Sequence, residues 1–299
     1  MIDFKGSINR RDFLRGAAYT GLAAAMGLSS DFCWATTETK KTRVVLIRNS
    51  DVIDTSGNID SRILGEMLDR AVVKLTDKAS PLEAWRQLIS PSDTLGIKSN
   101  EWGPLPTPPE LEQAIKDRAL DIGIPAENID IDDRNVLYSD VFLNSTALIN
   151  VRPLRTHHWS GIGGCLKNYI MFVPKPHEYH DDSCADLAAL WDLPLVKGKT
   201  RLNVLAVLTP QFHNIGAHHF DKKYIWQYKG LLVGNDPVAV DAVGVHLLEA
   251  KRGLYFKEDK PILPPPHHVV YGEIRHKLGV CNPAKIELVR LGWQEDVLI

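Results

Sequence analysis

Thr42-Arg43-Val44-Val45-Leu46-Ile47-Arg48 is a run of β-branched and aliphatic residues suited to a buried strand, and its place ahead of a helical repeat decides the fold. The turn-forming stretch Asp54-Thr55-Ser56-Gly57-Asn58 separates it from Ile63, Leu64, Met67, Leu68, Ala71, Val72 and Leu75, which recur at the spacing of one helix face. The same order then returns: a strand at Asp93 to Lys98, a proline-rich loop at Gly103 to Pro109, and a helix from Glu110 to about Ile122 closed by Gly123. Short strands come next at Ile129 to Asp132 and Ala147 to Val151, then a helix at Gly161 to Val173 and an apolar strand at Arg201 to Leu208. Trp226 to Val233 reads as a strand, and Asp236 and Pro237 as the N-cap and first position of a helix reaching about Lys251. A helix at Val269 to Leu278 and a strand at Lys285 to Leu291 end the chain. Alternation of this kind predicts an α/β fold built on a mostly parallel, doubly wound sheet with helices on both faces. It accommodates one domain over residues 36–299 or two lobes at about 42–150 and 151–299.

The N-terminus has a separate logic. Arg10-Arg11-Asp12-Phe13-Leu14-Arg15 leads into a weakly apolar, Ala- and Gly-rich stretch from Gly16 to Leu28, the order of a twin-arginine export signal. Cys33-Trp34-Ala35 resembles an A-x-A cleavage site, so residues 1–35 are expected to be removed and the mature chain to begin near Thr36. The expectation is a periplasmic or otherwise exported, soluble protein whose partners are the twin-arginine machinery and a small anionic ligand. No later stretch approaches the roughly 18 uninterrupted apolar residues of a membrane span. A formal net charge of −2 without long basic blocks argues against nucleic acid and anionic membrane surfaces as partners. Cleavage leaves Cys165, Cys184 and Cys281, of which two could pair or all stay free. Their spacing is not that of a ferredoxin-type iron–sulfur site.

Four segments occur in one order: Asp93-Thr94-Leu95-Gly96-Ile97-Lys98-Ser99-Asn100, Leu154-Arg155-Thr156-His157, Leu166-Lys167-Asn168 and Asp236-Pro237-Val238-Ala239-Val240-Asp241-Ala242-Val243. Together, from about Thr42 to Leu248, the chain resembles the bacterial and archaeal domain-of-unknown-function 362 family, some of whose members carry iron–sulfur modules. The resemblance implies a fold and a site, and no agreed reaction. This chain lacks the cysteine-rich module, so the resemblance implies no cluster here.

Two constellations carry chemistry. Lys98, Asn100 and Arg155 at strand ends, with Gly163 and Gly164 opening a helix that holds Lys167 and Asn168, would bind a small anion through side-chain charge and backbone N–H groups. The other reading of those glycines is a tight turn packing helix on sheet. His157, His158, His177, His180, His213, His218 and His219 fall in loops and at strand ends, where they could gather a zinc, iron, copper or nickel ion, or else lie as surface histidines. His157, Lys167 and Asp241 are the candidate catalytic groups. Asp241 lies in an apolar run and needs a partner if buried, for which Lys98 or Lys167 is expected. Cys165 reads as a small core residue or as a nucleophile activated at a helix start. The irregular, His-, Asp- and Pro-rich segment from Pro174 to Pro194 is expected to be functional or mobile. Two functional classes fit: a metal- or anion-binding enzyme or redox-linked protein with a strand-end cleft, and a non-catalytic accessory protein for an exported oxidoreductase.

Overall fold

The strand β1 (Thr42–Arg48) shows why the molecule has two cores. Val44 and Leu46 point into one and Val45 and Ile47 into the other, so both faces of the strand must be covered. The computed structural model describes residues 41–214 and 220–299; the leader, residues 1–35, and His218 and His219 lie outside the described residues. Seven further strands complete one sheet: β2 (Leu95–Lys98), β3 (Ile129–Asp132), β4 (Ala147–His157), β5 (Gly161–Gly163), β6 (Thr200–Gln211), β7 (Gly230–Gly234) and β8 (Ile286–Gly292). Their order is β3-β2-β4-β6-β7-β1-β8, with β5 hydrogen-bonded to the end of β4. Only β7 and β5 run against the rest.

Three helices, α1 (Ser61–Thr76), α2 (Pro81–Leu88) and α3 (Pro109–Ile122), pack on the face that carries Val45, Ile97, Ile149, Val204 and Val233. On the opposite face lie α4 (Cys165–Asn168), α5 (Pro237–Phe256) and α6 (His267–Ile274), against Val44, Leu148, Leu154, Leu205 and Leu232. The doubly wound α/β architecture is therefore as the alternation predicts. Residues of the two stretches, 42–150 and 151–299, share this sheet, because β1 sits between β7 and β8. No helix among the described residues is long and apolar enough to cross a membrane.

Local departures from expectation have local causes. Gly161 to Val173 is not one helix: Gly161 adopts φ +73, a conformation open to glycine, and turns the chain back so that Gly163 pairs with Arg155. A single turn, α4, and a 3₁₀ turn at Tyr169–Phe172 come after it. β4 runs six residues past Val151 to His157. It does so through Pro153, which has no N–H to donate, and the ladder with β6 shifts register between Pro153 and Arg155. β7 begins only at Gly230, and α5 continues to Phe256. Cys165, Cys184 and Cys281 are all free thiols.

Candidate functional site

Polar residues inserted in apolar strands build the floor of the site. Lys98 of β2, Asn150 of β4 and Asn203 of β6 are neighbours across three parallel strands and point to the same face. Each is fully buried, so each must find partners within the protein. Asn150 Nδ2 donates to Asn203 Oδ1 at 3.0 Å and to the Cys165 carbonyl at 3.0 Å. Asn168 reaches down from α4, its Nδ2 donating to Asn150 Oδ1 at 2.9 Å and to the Lys98 carbonyl at 3.0 Å. This network fixes α4 against the sheet. Asn168 is thus a structural tie with one end, while its Oδ1 is buried and has no hydrogen-bond partner among the described residues.

The start of α4 is closed by Asp241. Its Oδ1 accepts from the Cys165 N–H at 2.6 Å and its Oδ2 from the Leu166 N–H at 2.9 Å. The expected partners, Lys98 and Lys167, are not the ones it takes, because two backbone donors left unpaired by a short helix lie directly above it. Burial pushes this carboxyl up to about 6, against the pull of the Leu166 and Cys165 N–H groups. Gly164 allows the approach: a Cβ there would fall on the Asp241 carboxylate. A Cβ at Gly163 would come within 2.7 Å of an Arg152 guanidinium nitrogen. Both glycines therefore make room for charged side chains, and the Cys165 and Leu166 N–H groups at the start of α4 are taken by Asp241. Cys165 is fully buried beside that carboxylate, and both burial and the negative charge raise its thiol well above the ordinary value, which is the reverse of an activated nucleophile.

Beyond this floor, at the C-terminal ends of the parallel strands, positive charge accumulates. Lys98, Arg152, Arg155 and Lys167 are at most 6% exposed, and the buried carboxylates that face them are Asp133 and Asp241. Lys98 Nζ pairs with Asp133 Oδ1 at 2.5 Å. Burial lowers Lys98 to about 8 and would raise Asp133, but the Lys98 charge wins and holds Asp133 below its usual range, so the pair is ionised at neutral pH. Arg152 donates from Nη1 to the Gly164 carbonyl at 3.2 Å. Arg155 lies over the Trp102 ring with its guanidinium carbon 4.1 Å from the centroid. The Nε atoms of both arginines are buried without a hydrogen-bond partner among the described residues. The same holds for Asn100 Oδ1 and for both side-chain ends of Gln211, which pairs laterally with Arg155 in the sheet.

His157 ends β4. Its Nδ1 accepts from the Trp159 N–H at 3.2 Å, so a neutral ring carries its proton on Nε2. Burial, then the charges of Arg155 and Lys167, keep it neutral. His157 stacks on His158 with centroids 4.8 Å apart, His158 lies 4.1 Å from Trp159, and Trp159 stacks on His180 at 3.9 Å. His177 is exposed on a 3₁₀ turn, and His213 Nδ1 lies 2.9 Å from an Arg252 nitrogen. The rings of His157, His158, Trp159 and His180 thus form one continuous row, while His213 is drawn to Arg252. Among the described residues no three His, Cys, Asp or Glu side chains gather as a metal set would require.

Several members of this site carry weaker marks in the sequence than the residues of the two constellations. Asn150, Arg152 and Asn203 have a readable signal, a polar residue inside an apolar strand. Asp133 comes directly after β3 and has a fainter one. Gln211 and His268 have none. His268, from α6, is fully buried with neither ring nitrogen partnered among the described residues, and burial together with the Lys167 and Arg152 charges lowers it to about 3.

Residues 119–246 match the family model described as Domain of unknown function (DUF362). The resemblance carried by the sequence motifs therefore holds over the stretch that includes Asp133, Arg152, Arg155, Lys167 and Asp241. No curated protein and no solved structure matches the chain.

Proposed function

We propose that this protein is an enzyme that binds a small organic anion at the C-terminal ends of β2, β4 and β6 and moves protons on it. The observation that carries the reading is the excess of buried positive charge: four cationic side chains face two buried carboxylates, and the Nε atoms of Arg152 and Arg155 are unpartnered among the described residues. Buried cations without counter-charge are costly, and an anion that accepts from those nitrogens removes the cost. Open α/β sheets take their ligands at this edge. Arg155 and Arg152 hold the charged group, with Lys98 tied to Asp133 as a fixed neighbour. Asn100 and Gln211 offer neutral contacts, and His157 Nε2–H and Lys167 Nζ are the groups able to give or take a proton. Asp241, occupied by the start of α4, positions Lys167. Positive charge around His157 favours an anion over a metal ion at that ring. The Arg10-Arg11 leader supports an exported place of work.

The test uses protein recovered from the periplasmic fraction of cells expressing the full chain, titrated with carboxylates, phosphate and sulfate while its melting temperature is followed. A saturable rise is expected with at least one class, and Arg155→Gln should weaken that binding by about 10- to 100-fold, the loss of one charge-assisted contact. Failure of every anion at millimolar concentration to raise the melting temperature would overturn the reading. Recovery from the cytoplasm alone would overturn its exported part.

A further inference from the structure

Among the described residues two lysines are buried on this side of the sheet, and one of them has a carboxylate. Lys98 is committed to Asp133 at 2.5 Å. Lys167 has no ion-pair partner among the described residues. Its Nζ lies 3.8 Å from Cys184 Sγ and 6.0 Å from the centroid of the Trp159 ring, a residue 47% exposed. The amine is therefore buried just beneath a side chain that meets solvent. Burial and the positive charges of Arg152 and Arg155 pull Lys167 down to about 8, although the nearby Cys184 thiol opposes them.

A desolvated amine beside other cations is the setting in which lysine becomes a nucleophile toward carbonyl carbon. The neighbouring guanidinium groups determine what else such a carbonyl compound must carry. Arg152 and Arg155, whose charges act on the Lys167 amine, have buried Nε atoms without a hydrogen-bond partner among the described residues, which suits a carboxylate. We infer that Lys167 forms an imine with a small oxo acid whose carboxylate is held by Arg152 and Arg155, an inference that rests on the anion site proposed above. The nitrogen lone pair adds to the carbonyl carbon, the nitrogen gives up one proton and the carbonyl oxygen takes one up, giving a carbinolamine. The carbon–oxygen bond then breaks, the hydroxyl leaves as water with a second proton, and nitrogen shares its pair in the new C=N bond. The step consumes one amine and one carbonyl, releases one water, and needs no oxidant or reductant.

The wild-type protein is incubated with pyruvate and sodium cyanoborohydride, which reduces an imine to a stable secondary amine, and is then digested and mapped by mass spectrometry. The expected result is a mass gain equal to pyruvate less one oxygen on the peptide containing Lys167, at least about tenfold above any exposed lysine, as the lower affinity of Lys167 for its proton requires. Acetaldehyde, which lacks the carboxylate, should label Lys167 less than pyruvate does at equal concentration, because the lowered proton affinity helps both and the arginines help pyruvate alone. Lys167→Arg should lose the label while pyruvate still raises its melting temperature. If pyruvate stabilises the wild-type protein but Lys167 stays unlabelled, or is labelled no more than exposed lysines, the imine is overturned and the anion site stands. If no anion, pyruvate included, either stabilises or labels, both fall.

Discussion

The two ends of the sheet use the same kinds of charged residue in opposite ways. At the end where β1, β6 and β8 begin lies a cavity of about 770 Å³, lined by Arg43, Asp77, Asp192, Lys197, Asp236 and Glu287 among others. Among the described residues many of its charges are paired, Lys41 and Lys277 excepted: Arg43 reaches Asp77 at 2.7 Å and Glu287 at 2.9 Å, Lys197 reaches Asp192 at 3.0 Å, and Asp236 caps α5 by accepting from Val238 and Ala239. At the other end the basic cluster is closed over by Trp102, His157, His158 and Trp159, and its charges are not balanced. Open space at the first end comes with satisfied groups, while the second is crowded and carries unmet hydrogen-bonding capacity. Unmet capacity, rather than volume, is the better guide to where a ligand would be recognised, because a paired charge has little left to give an incoming molecule.

Lys98→Met puts the largest strain on this contrast. It leaves the Asp133 carboxylate buried without its cation, and a loss of about 3–5 kcal/mol in urea unfolding is expected. Glu101 N–H would remain on Asp133 at 2.9 Å and would not replace the ammonium.

The pH dependence gives the next largest effect. Lys98 and Lys167 are each lowered from 10.5 to about 8 in the folded protein. Between those values these two side chains bind more protons in the unfolded chain than in the folded one, so their contribution to stability should rise as pH increases from about 8 toward 10.5. A gain of roughly 1–3 kcal/mol is expected on this basis, and Lys167→Met should remove part of the slope. Unfolding curves at several pH values check both. The Cys165, Cys184 and Cys281 thiols, raised above their ordinary value, oppose this above about pH 9, so the check is the difference between the wild-type and Lys167→Met slopes, and identical slopes would show that Lys167 does not sit in the environment described.

The smallest effect belongs to the opposite end. Arg43→Gln breaks two partly exposed pairs and should cost no more than about 1 kcal/mol, with anion binding unchanged. A change in anion affinity would mean that the paired end takes part in recognition after all.

The candidate site is partly legible in the sequence. Lys98, Arg155, Lys167 and Asn168 stand at strand ends or just past one on one edge, where Asn168 donates to the Lys98 carbonyl and the Arg155 and Lys167 charges both act on His157. Asp241 is legible as a buried acid, but its partners are not, since Cys165 is 76 residues away and the bonded groups belong to the backbone. The histidines are legible as a group and misleading as to arrangement. Adjacent His157 and His158 stack face to face instead of converging on one point, and His213 is drawn off to Arg252.

What the sequence determined by itself was periodic: strands apolar on both faces, helices with one apolar face, and an alternation that leaves a doubly wound sheet as the way to bury them. Those preferences act between neighbours in the chain, so they can be read from neighbours. Only the tertiary structure decided that Lys98 would have a carboxylate and Lys167 would not, that the Gly163-Gly164 step would yield space to Arg152 and Asp241, and that His268 would be buried near the cluster from an element outside residues 119–246. Each is a matter of which groups meet across the sheet and what water they exclude, and burial and pairing are properties of that meeting.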